Sequence, residues 1–478
     1  MADIQHVVVL MLENRSFDCM LGRLYPNDAN YRGLTLSEYN NYNSNAYGVW
    51  NDIGMSPSTA TIPDPDPGEM FADMNTQLFG VEIRPNTPPD MSGFAKSYAT
   101  QKGKGIYAPS AVMHYFTPEQ VPVISALART FGVCDQWHAS APCQTWPNRF
   151  FAHTGTSLGH VNNHDFSIPF DAPSIFGRLQ DAGMSWRVYF HDMPQSILLK
   201  DVWLHAVTHY RGFSQFLADA HSGALPNYSF IEPRYFADMF GAFIPNDEHP
   251  PHNVIYGETL MATVYNALRG STSWKNTLLI ITYDEHGGCY DHVQPPDATS
   301  PDSAIGPVPD KFAFDAYGVR VPAVIVSPWV PAGSKIRNPQ GGDGKSGTPF
   351  DHTSIIKTVR ELFLNGGGQL TARDGAAPSL MSALSLPDAT NLGPLNINAP
   401  PVPSTSKQLS LQVSNLAGAV PNNLQAALAA ASHNLPVNAP RSESELPDAS
   451  APPAPATYPT VAKAATTATA RTSSFLGL

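Results

Sequence analysis

Separate segments of this 478-residue chain carry residue types that can act together on a phosphate ester. Such chemistry needs a nucleophile near a cation, charge stabilisation on the non-bridging oxygens and an acid for the leaving group. Glu13-Asn14 and Asp284-Glu285 each place hard oxygen donors just after an apolar run, a set that suits a divalent ion such as Mg²⁺, Ca²⁺, Mn²⁺ or Zn²⁺. Taken singly, either pair reads equally well as a helix cap or a solvent-facing turn. In Cys143-Gln-Thr145-Trp-Pro147-Asn148-Arg149 a hydroxyl stands two residues before a proline and four before an arginine. A cation beside Thr145 would lower the pKa of its hydroxyl, and Arg149 would fork onto phosphate oxygens or hold the loop. The plainer reading of that segment is a helix N-cap followed by proline.

Taken in order, four motifs resemble those of the phosphoesterase family. They are Glu13-Asn-Arg-Ser-Phe-Asp18 with Gly22; Thr145-x-Pro147-Asn148-Arg149; Asp284-Glu285-x-x-Gly288-x-x-Asp291-His292-Val293; and Gly318-x-Arg320-Val321-Pro322 with Ser327-Pro328. That family holds bacterial phosphatidylcholine-cleaving phospholipases C, plant non-specific phospholipases C and a group of acid phosphatases. The Thr145 segment also looks like the nucleophile-x-Pro-x-Arg arrangement of sulfatases, with threonine where their modified cysteine stands. A threonine cannot become an aldehyde hydrate, so phosphoryl transfer is favoured over sulfuryl transfer.

The resemblance implies an alkaline phosphatase-like α/β fold with the site at the strand ends. It implies one tightly bound divalent metal on Glu13, Asn14, Asp284 and Glu285, with Thr145 as both ligand and nucleophile. The family's Asn-Asp-x-His-Pro-x-His segment stands here as Asn246-Asp247-Glu-His249-Pro-Pro-His252. Its histidines would bind phosphate oxygens or protonate the leaving alkoxide, and Pro250-Pro251 bars a regular helix between them. Asp291-His292 and Asp351-His352 read as satisfied turns or as support for the metal ligands. His352 is placed nearer the chemistry because it precedes a helix whose N-terminus favours anions. The activity implied is that of a phospholipase C releasing diacylglycerol and a phosphorylated headgroup through a phosphothreonine. The alternative is an acid phosphatase using the same residues on soluble phosphomonoesters. A non-catalytic relative would have lost Thr145 or the carboxylates, and all are present.

The elements that must position these groups show in the apolar pattern. Val7–Leu12, Thr277–Tyr283 and Val321–Val326 are continuous apolar runs, as in strands buried on both faces of an α/β sheet, and Trp186–Phe190 is a further strand. Helical periodicity covers Pro118–Phe131, Ser174–Asp181, Gly257–Leu268 and Thr353–Phe363. The alternation predicts a mainly parallel sheet with helices on both faces, whose strand ends carry the ligands. A catalytic domain is expected over 1–399, with a loop-rich, substrate-shaping insertion at about 25–110, where Met70, Phe71, Met74, Phe79 and Phe94 would line an acyl-chain groove or form local core. Residues 400–478, rich in Pro and Ala, read as a linker or tail, docked in part through Asn422–Ala431.

Composition narrows the partners. A net charge of -12 and the absence of any Lys/Arg run argue against nucleic acid. The expected partner is a phospholipid or small phosphate ester, with peripheral membrane contact if lipid. Four cysteines without CxxC spacing are too few for a disulfide framework in a chain this long and do not decide the redox compartment. The opening MADIQHVVVLMLENRS lacks the basic start of an export signal, and no apolar run is long enough to span a bilayer. The expectation is a cytoplasmic protein, or one exported without a cleaved signal.

If Thr145 is the nucleophile, Thr145→Ala should lower turnover by about 10³-fold or more, because water must replace an oriented alkoxide. Thr145→Ser, which keeps the oxygen, should retain measurable turnover. Steady-state assays of both variants on one activated ester check this, and equal rates for the two would remove Thr145 from the chemistry.

Overall fold

The computed structural model describes residues 2–52, 54, 59–101, 108–164, 166–238, 243–306, 311–338, 347–402, 406–447 and 457–478. Ten strands occur among them: β1 His6–Leu12, β2 Tyr39–Tyr42, β3 Asn45–Gly48, β4 Gly132–Val133, β5 Trp186–Phe190, β6 Tyr210–Gly212, β7 Tyr228–Ile231, β8 Thr277–Tyr283, β9 Ala323–Val326 and β10 Ser334–Lys335. Eight form one sheet in the order β10-β4-β9-β8-β1-β7-β5-β6. Only β9 runs against its neighbours in that sheet. β1 and β8 lie at its centre, and the residues of both are buried except His6 at the edge, as their unbroken apolar runs require. β9 begins at Ala323, two residues later than its apolar run, because Pro322 cannot donate to the ladder.

Helices cover both faces. Alternation along β5 and β7 puts Trp186, Tyr228 and Phe230 on one face, where Phe176 and His153 of the Ile175–Asp181 and Thr145–Thr154 helices stack on them. Tyr189 points the other way and meets Phe216 of the Phe213–Ser222 helix, 5.4 Å away. The α/β sandwich expected from the pattern is therefore present. The four expected helices occur as Pro122–Thr130, Ile175–Asp181, Val254–Arg269 and Thr353–Phe363. The first starts at Pro122, whose fixed φ and missing donor suit a first turn.

The 25–110 segment contains the β2–β3 hairpin and the helices Phe71–Phe79 and Phe94–Ala99. Residues 53, 55–58 and 102–107 of it lie outside the described residues. Phe94 packs with Leu34, Leu78, Tyr98 and Val319, and Phe71 with Phe151 and Phe312. Phe71, Met74 and Phe94 are thus buried as local core.

Within 400–478 three helices form: Ser406–Gly418, Asn423–Ser432 and Val461–Leu476. Leu424, Leu428, Ala464, Ala468 and Phe475 are buried in the main core, and Phe475 sits edge-on to Trp203 at 5.3 Å. Residues 403–405 and 448–456, within the expected tail, lie outside the described residues. Phe475→Ala should destabilise the protein by about 3–5 kcal/mol, the usual result of emptying a buried phenylalanine site. Urea unfolding measures this, and an unchanged midpoint would mean that the last helix contributes nothing to the core.

Candidate active site

Leu12 of β1 pairs with Tyr283 of β8, so the two strands end side by side and the residues that follow, Glu13-Asn14 and Asp284-Glu285, emerge together. The Asn14 amide donates to Asp284 Oδ1 at 3.1 Å. Asn14 adopts a left-handed φ of 52°, a conformation asparagine tolerates better than most side chains. Its Nδ2 gives one hydrogen to Glu69 Oε1 (2.7 Å) and the other to Glu285 Oε1 (3.0 Å). The side chain is thereby fixed with Oδ1 buried and unpartnered. The turn after β8 passes so close that a Cβ on Gly287 would lie 2.1 Å from the Asn14 carbonyl oxygen, so only glycine fits there.

Thr145 is the first residue of the Thr145–Thr154 helix, and its Oγ1 donates to Glu13 Oε2 at 3.3 Å. The start of that helix is clamped. Trp146 N donates to Asn163 Oδ1 (2.8 Å), Asn163 N to Gln144 Oε1 (3.0 Å), and Asn148 Nδ2 to the Cys143 carbonyl (2.7 Å). Trp146 N is thereby taken by Asn163 and Asn148 N by the Gln144 carbonyl at 3.4 Å, and Pro147 has no N–H, so of the first-turn amides only that of Thr145 is left to meet an anion beside the hydroxyl.

Arg149, one turn later, is fully buried and points inward. Its guanidinium lies 2.6 Å from Glu13 Oε1, 3.4 Å from Glu232 Oε2 and 3.5 Å from Asp284 Oδ2, and donates to the Met11 carbonyl at 3.1 Å. Of the two roles open in the sequence, this geometry serves holding the frame. Gln195 Nε2 completes the grip on Glu13 Oε1 at 2.7 Å.

The electrostatics follow from burial. Glu13 is driven well above the ordinary carboxylate range by desolvation, with Arg149 opposing and Asp284 adding to the rise. Burial, then Glu69 and Asp284, raises Glu285 in the same direction. Burial alone would depress His249, but Glu69 and Asp66 outweigh it and hold the imidazole well above its usual pKa. His249 Nδ1 lies 2.7 Å from the Pro250 carbonyl, which can only accept, so that nitrogen carries a proton. The other, Nε2, is buried without a hydrogen-bond partner, 3.5 Å from Glu69 Oε1. His252 Nδ1 is held by Asp247 Oδ1 at 2.7 Å. The two rings are 6.1 Å apart.

His352 lies behind the site. Its Nε2 donates to the Asp284 carbonyl at 2.6 Å and its Nδ1 accepts from Trp137 Nε1 at 3.3 Å. Both nitrogens are spent on positioning Asp284, and burial depresses the ring's pKa. Asp291 and His292 sit in a separate network, in which Arg320 binds Asp18 and Asp291 and His292 binds Asp18 at 2.6 Å. Asp351 is braced by Arg373 and Ser140.

The donor set fits a hard divalent cation. Asn14 Oδ1 and Glu69 Oε2 are buried without a hydrogen-bond partner, and Asp284 Oδ2 has only the ion pair with Arg149 at 3.5 Å, on residues that touch one another. An orphaned buried acceptor costs about 1–3 kcal/mol unless something satisfies it. Asp66, Glu69 and His249 also bring their ligand atoms within 4.8 Å of one another. Sequence reasoning missed Glu69, Asp66, Gln195 and Glu232. The available signal was the Pro-spaced acidic run Asp64-Pro-Asp66-Pro-Gly-Glu69 in an otherwise aperiodic segment.

A family model described as Phosphoesterase family matches residues 4–364. Non-specific phospholipase C1 of Arabidopsis thaliana is 40% identical over 387 residues, covering 78% of this chain and 69% of that protein. Phospholipase C A of Mycobacterium tuberculosis is 28% identical over 455 residues, covering 84% and 81%. Among solved structures, a protein in the alkaline phosphatase superfamily from Vibrio parahaemolyticus aligns with a TM-score of 0.33 at 12% identity, covering 54% of this chain and 64% of that one.

Glu69→Ala, Asn14→Ala and Asp284→Ala should each weaken divalent-ion binding by about tenfold or more, whereas Asp291→Ala should leave it unchanged. Calorimetric titration of chelator-stripped protein with Mn²⁺, Zn²⁺ or Ca²⁺ reads this directly. Full affinity in the first three variants would move the metal elsewhere.

Proposed function

The chain belongs to the phosphoesterase family, whose members hydrolyse phosphoric esters, and from that premise we propose that it is a phospholipase C cutting the glycerol side of a lipid headgroup phosphate. The observation that carries the reading is the hydrogen bond of Thr145 Oγ1 to Glu13 at a helix N-terminus, Glu13 being tied through Arg149 to Asp284, which in turn holds Asn14. The phospholipase C names of the relatives supply the substrate class.

In the first step Thr145 Oγ1 attacks phosphorus. The Oγ1–P bond forms as the bond from phosphorus to the glycerol oxygen breaks, and the hydroxyl proton passes to Glu13 Oε2. The Thr145 amide, the first-turn N–H that neither Asn163 nor the Gln144 carbonyl takes, and the positive end of the helix stabilise the non-bridging oxygens. His249, protonated beside Glu69 and Asp66, gives its Nε2 proton to the departing diacylglycerol oxygen. In the second step water attacks the phosphothreonine and loses its proton to His249. The Oγ1–P bond breaks, Thr145 recovers its proton from Glu13, and the phosphorylated alcohol leaves. His252, oriented by Asp247, binds a phosphate oxygen. Glu13, Asn14, Asp284 and Thr145, joined by Glu69, would hold a divalent cation, which would supply Lewis acidity at the hydroxyl and offset phosphoryl charge. Glu285 completes that site by orienting the Asn14 amide, and Arg149 and His352 fix its carboxylates. No helix among the described residues is long and apolar enough to cross a membrane, and lipid would be met as a peripheral contact.

Assays of p-nitrophenylphosphorylcholine and p-nitrophenyl phosphate side by side should favour the diester, and acid quenching during turnover should trap phosphate on the Thr145 peptide. With a chiral thiophosphate ester in H₂¹⁸O, two in-line displacements retain configuration at phosphorus. A preference for the monoester would assign an acid phosphatase instead, while inversion without a trapped phosphopeptide would overturn the covalent mechanism.

A further inference from the structure

A cavity of about 650 Å³ lies along the same edge of the sheet, where β5 ends at Phe190. Phe213 and Leu217 of the Phe213–Ser222 helix and Leu260 of the Val254–Arg269 helix form its apolar walls. Its size falls within the roughly 300–1,000 Å³ of small-molecule sites. A second cavity, about 510 Å³, opens on the far side of the same three residues, His191, Arg234 and Phe243, and is walled by Phe236 and by Ala465 of the last helix.

Arg234 is the one cation on the shared wall. Its guanidinium stacks on the Phe243 ring at 4.3 Å. Among the described residues it forms no ion pair and no side-chain hydrogen bond; only its backbone is engaged, with Asn246. Asp192, which lines the second cavity with Asp238, feels the charge of Arg234 but has both oxygens on backbone amides, those of Met193, Tyr235 and Phe236. His191 turns Nδ1 to the Glu232 carbonyl and lies flat on Phe213. Apolar walls with a single unspent guanidinium describe the complement of an amphiphile: hydrocarbon along the helices and one anionic end on the arginine.

We propose that this cavity binds one long hydrocarbon chain with its carboxyl end, free or esterified, seated on Arg234. The chain has two sources: a free fatty acid, whose carboxylate pairs with the guanidinium, or an acyl chain of a phospholipid whose phosphate lies at Thr145, the ester carbonyl of that chain accepting from the guanidinium. Asn246, which lines the cavity, immediately precedes Asp247, the residue that orients His252, so a bound chain would lie beside the catalytic loop.

Fluorescence titration of the full chain with dansylundecanoic acid tests the site without reference to catalysis. Saturable binding is expected, weakened about tenfold or more by Arg234→Gln and by the cavity-filling Leu260→Trp, and kept by Arg234→Lys. Turnover of p-nitrophenylphosphorylcholine should stay at the wild-type level in all three, which certifies the fold; Thr263→Phe, filling the cavity from its outer wall, replaces Leu260→Trp if that variant unfolds. Unsaturable binding, or binding indifferent to both the charge and the filling variants, overturns the proposal. A second arm, which rests on the phospholipase reading, separates the sources. If the chain belongs to substrate, the filling variant raises KM for long-chain phosphatidylcholine and spares the soluble ester; if it is a free fatty acid, both KM values hold. A chain that binds the probe yet hydrolyses no lipid keeps this site and loses only the phospholipase assignment.

Discussion

The structure depends on burying several carboxylates at one point. Glu13, Glu69, Asp284 and Glu285 are all essentially without solvent exposure, and like charges in a low-dielectric setting repel strongly unless they are paired or neutralised. Arg149 answers part of that charge through three carboxylates, and His249 another part. The rest falls to proton uptake, seen in the raised Glu13 and Glu285, or to a cation. Because breaking one partner of such a cluster leaves an uncompensated buried charge, every surrounding contact has to hold its geometry closely.

That requirement explains the supports outside the ligand set. Asn14 is fixed by two carboxylates, Asp284 is held from behind through its carbonyl by His352, and the start of the Thr145 helix is clamped by Asn163 and Asn148. Arg320 ties Asp18, shortly after β1, to Asp291, shortly after β8. The two loops that carry the ligands are therefore joined by a buried ion network of their own. Asp18, Asn148, Arg149, Asp291 and Arg320, all within the matched motifs, are spent on this frame.

The sequence revealed what depends on local pattern. Continuous apolar runs identified β1 and β8, and the polar residues that stop them identified Glu13, Asn14, Asp284 and Glu285. Glu69 and Asp66 were not legible, since they arrive on a proline-rich loop without periodicity and are drawn in by Asn14 and His249, over fifty residues away. The same limit applies to the C-terminal helices. Alanine-rich composition signals weak burial, but small side chains let Ala464 and Ala468 approach the core closely, with Phe475 as anchor. Arg149 was ambiguous because only its neighbours decide whether a guanidinium faces phosphate or protein.

The central position of β1 bears on how the chain is made. Val7 pairs with Tyr228 and Leu278, residues synthesised more than two hundred positions later. At about 5–20 residues per second the first strand waits on the order of tens of seconds for either neighbour. Throughout that interval an apolar, valine-rich segment with unpaired edges stands exposed on the ribosome, and sheets closed over such separations form slowly. Shielding Val7–Leu12 until Tyr228 and Leu278 emerge is therefore a task for chaperones, and it falls on the strand that leads directly into Glu13 and Asn14.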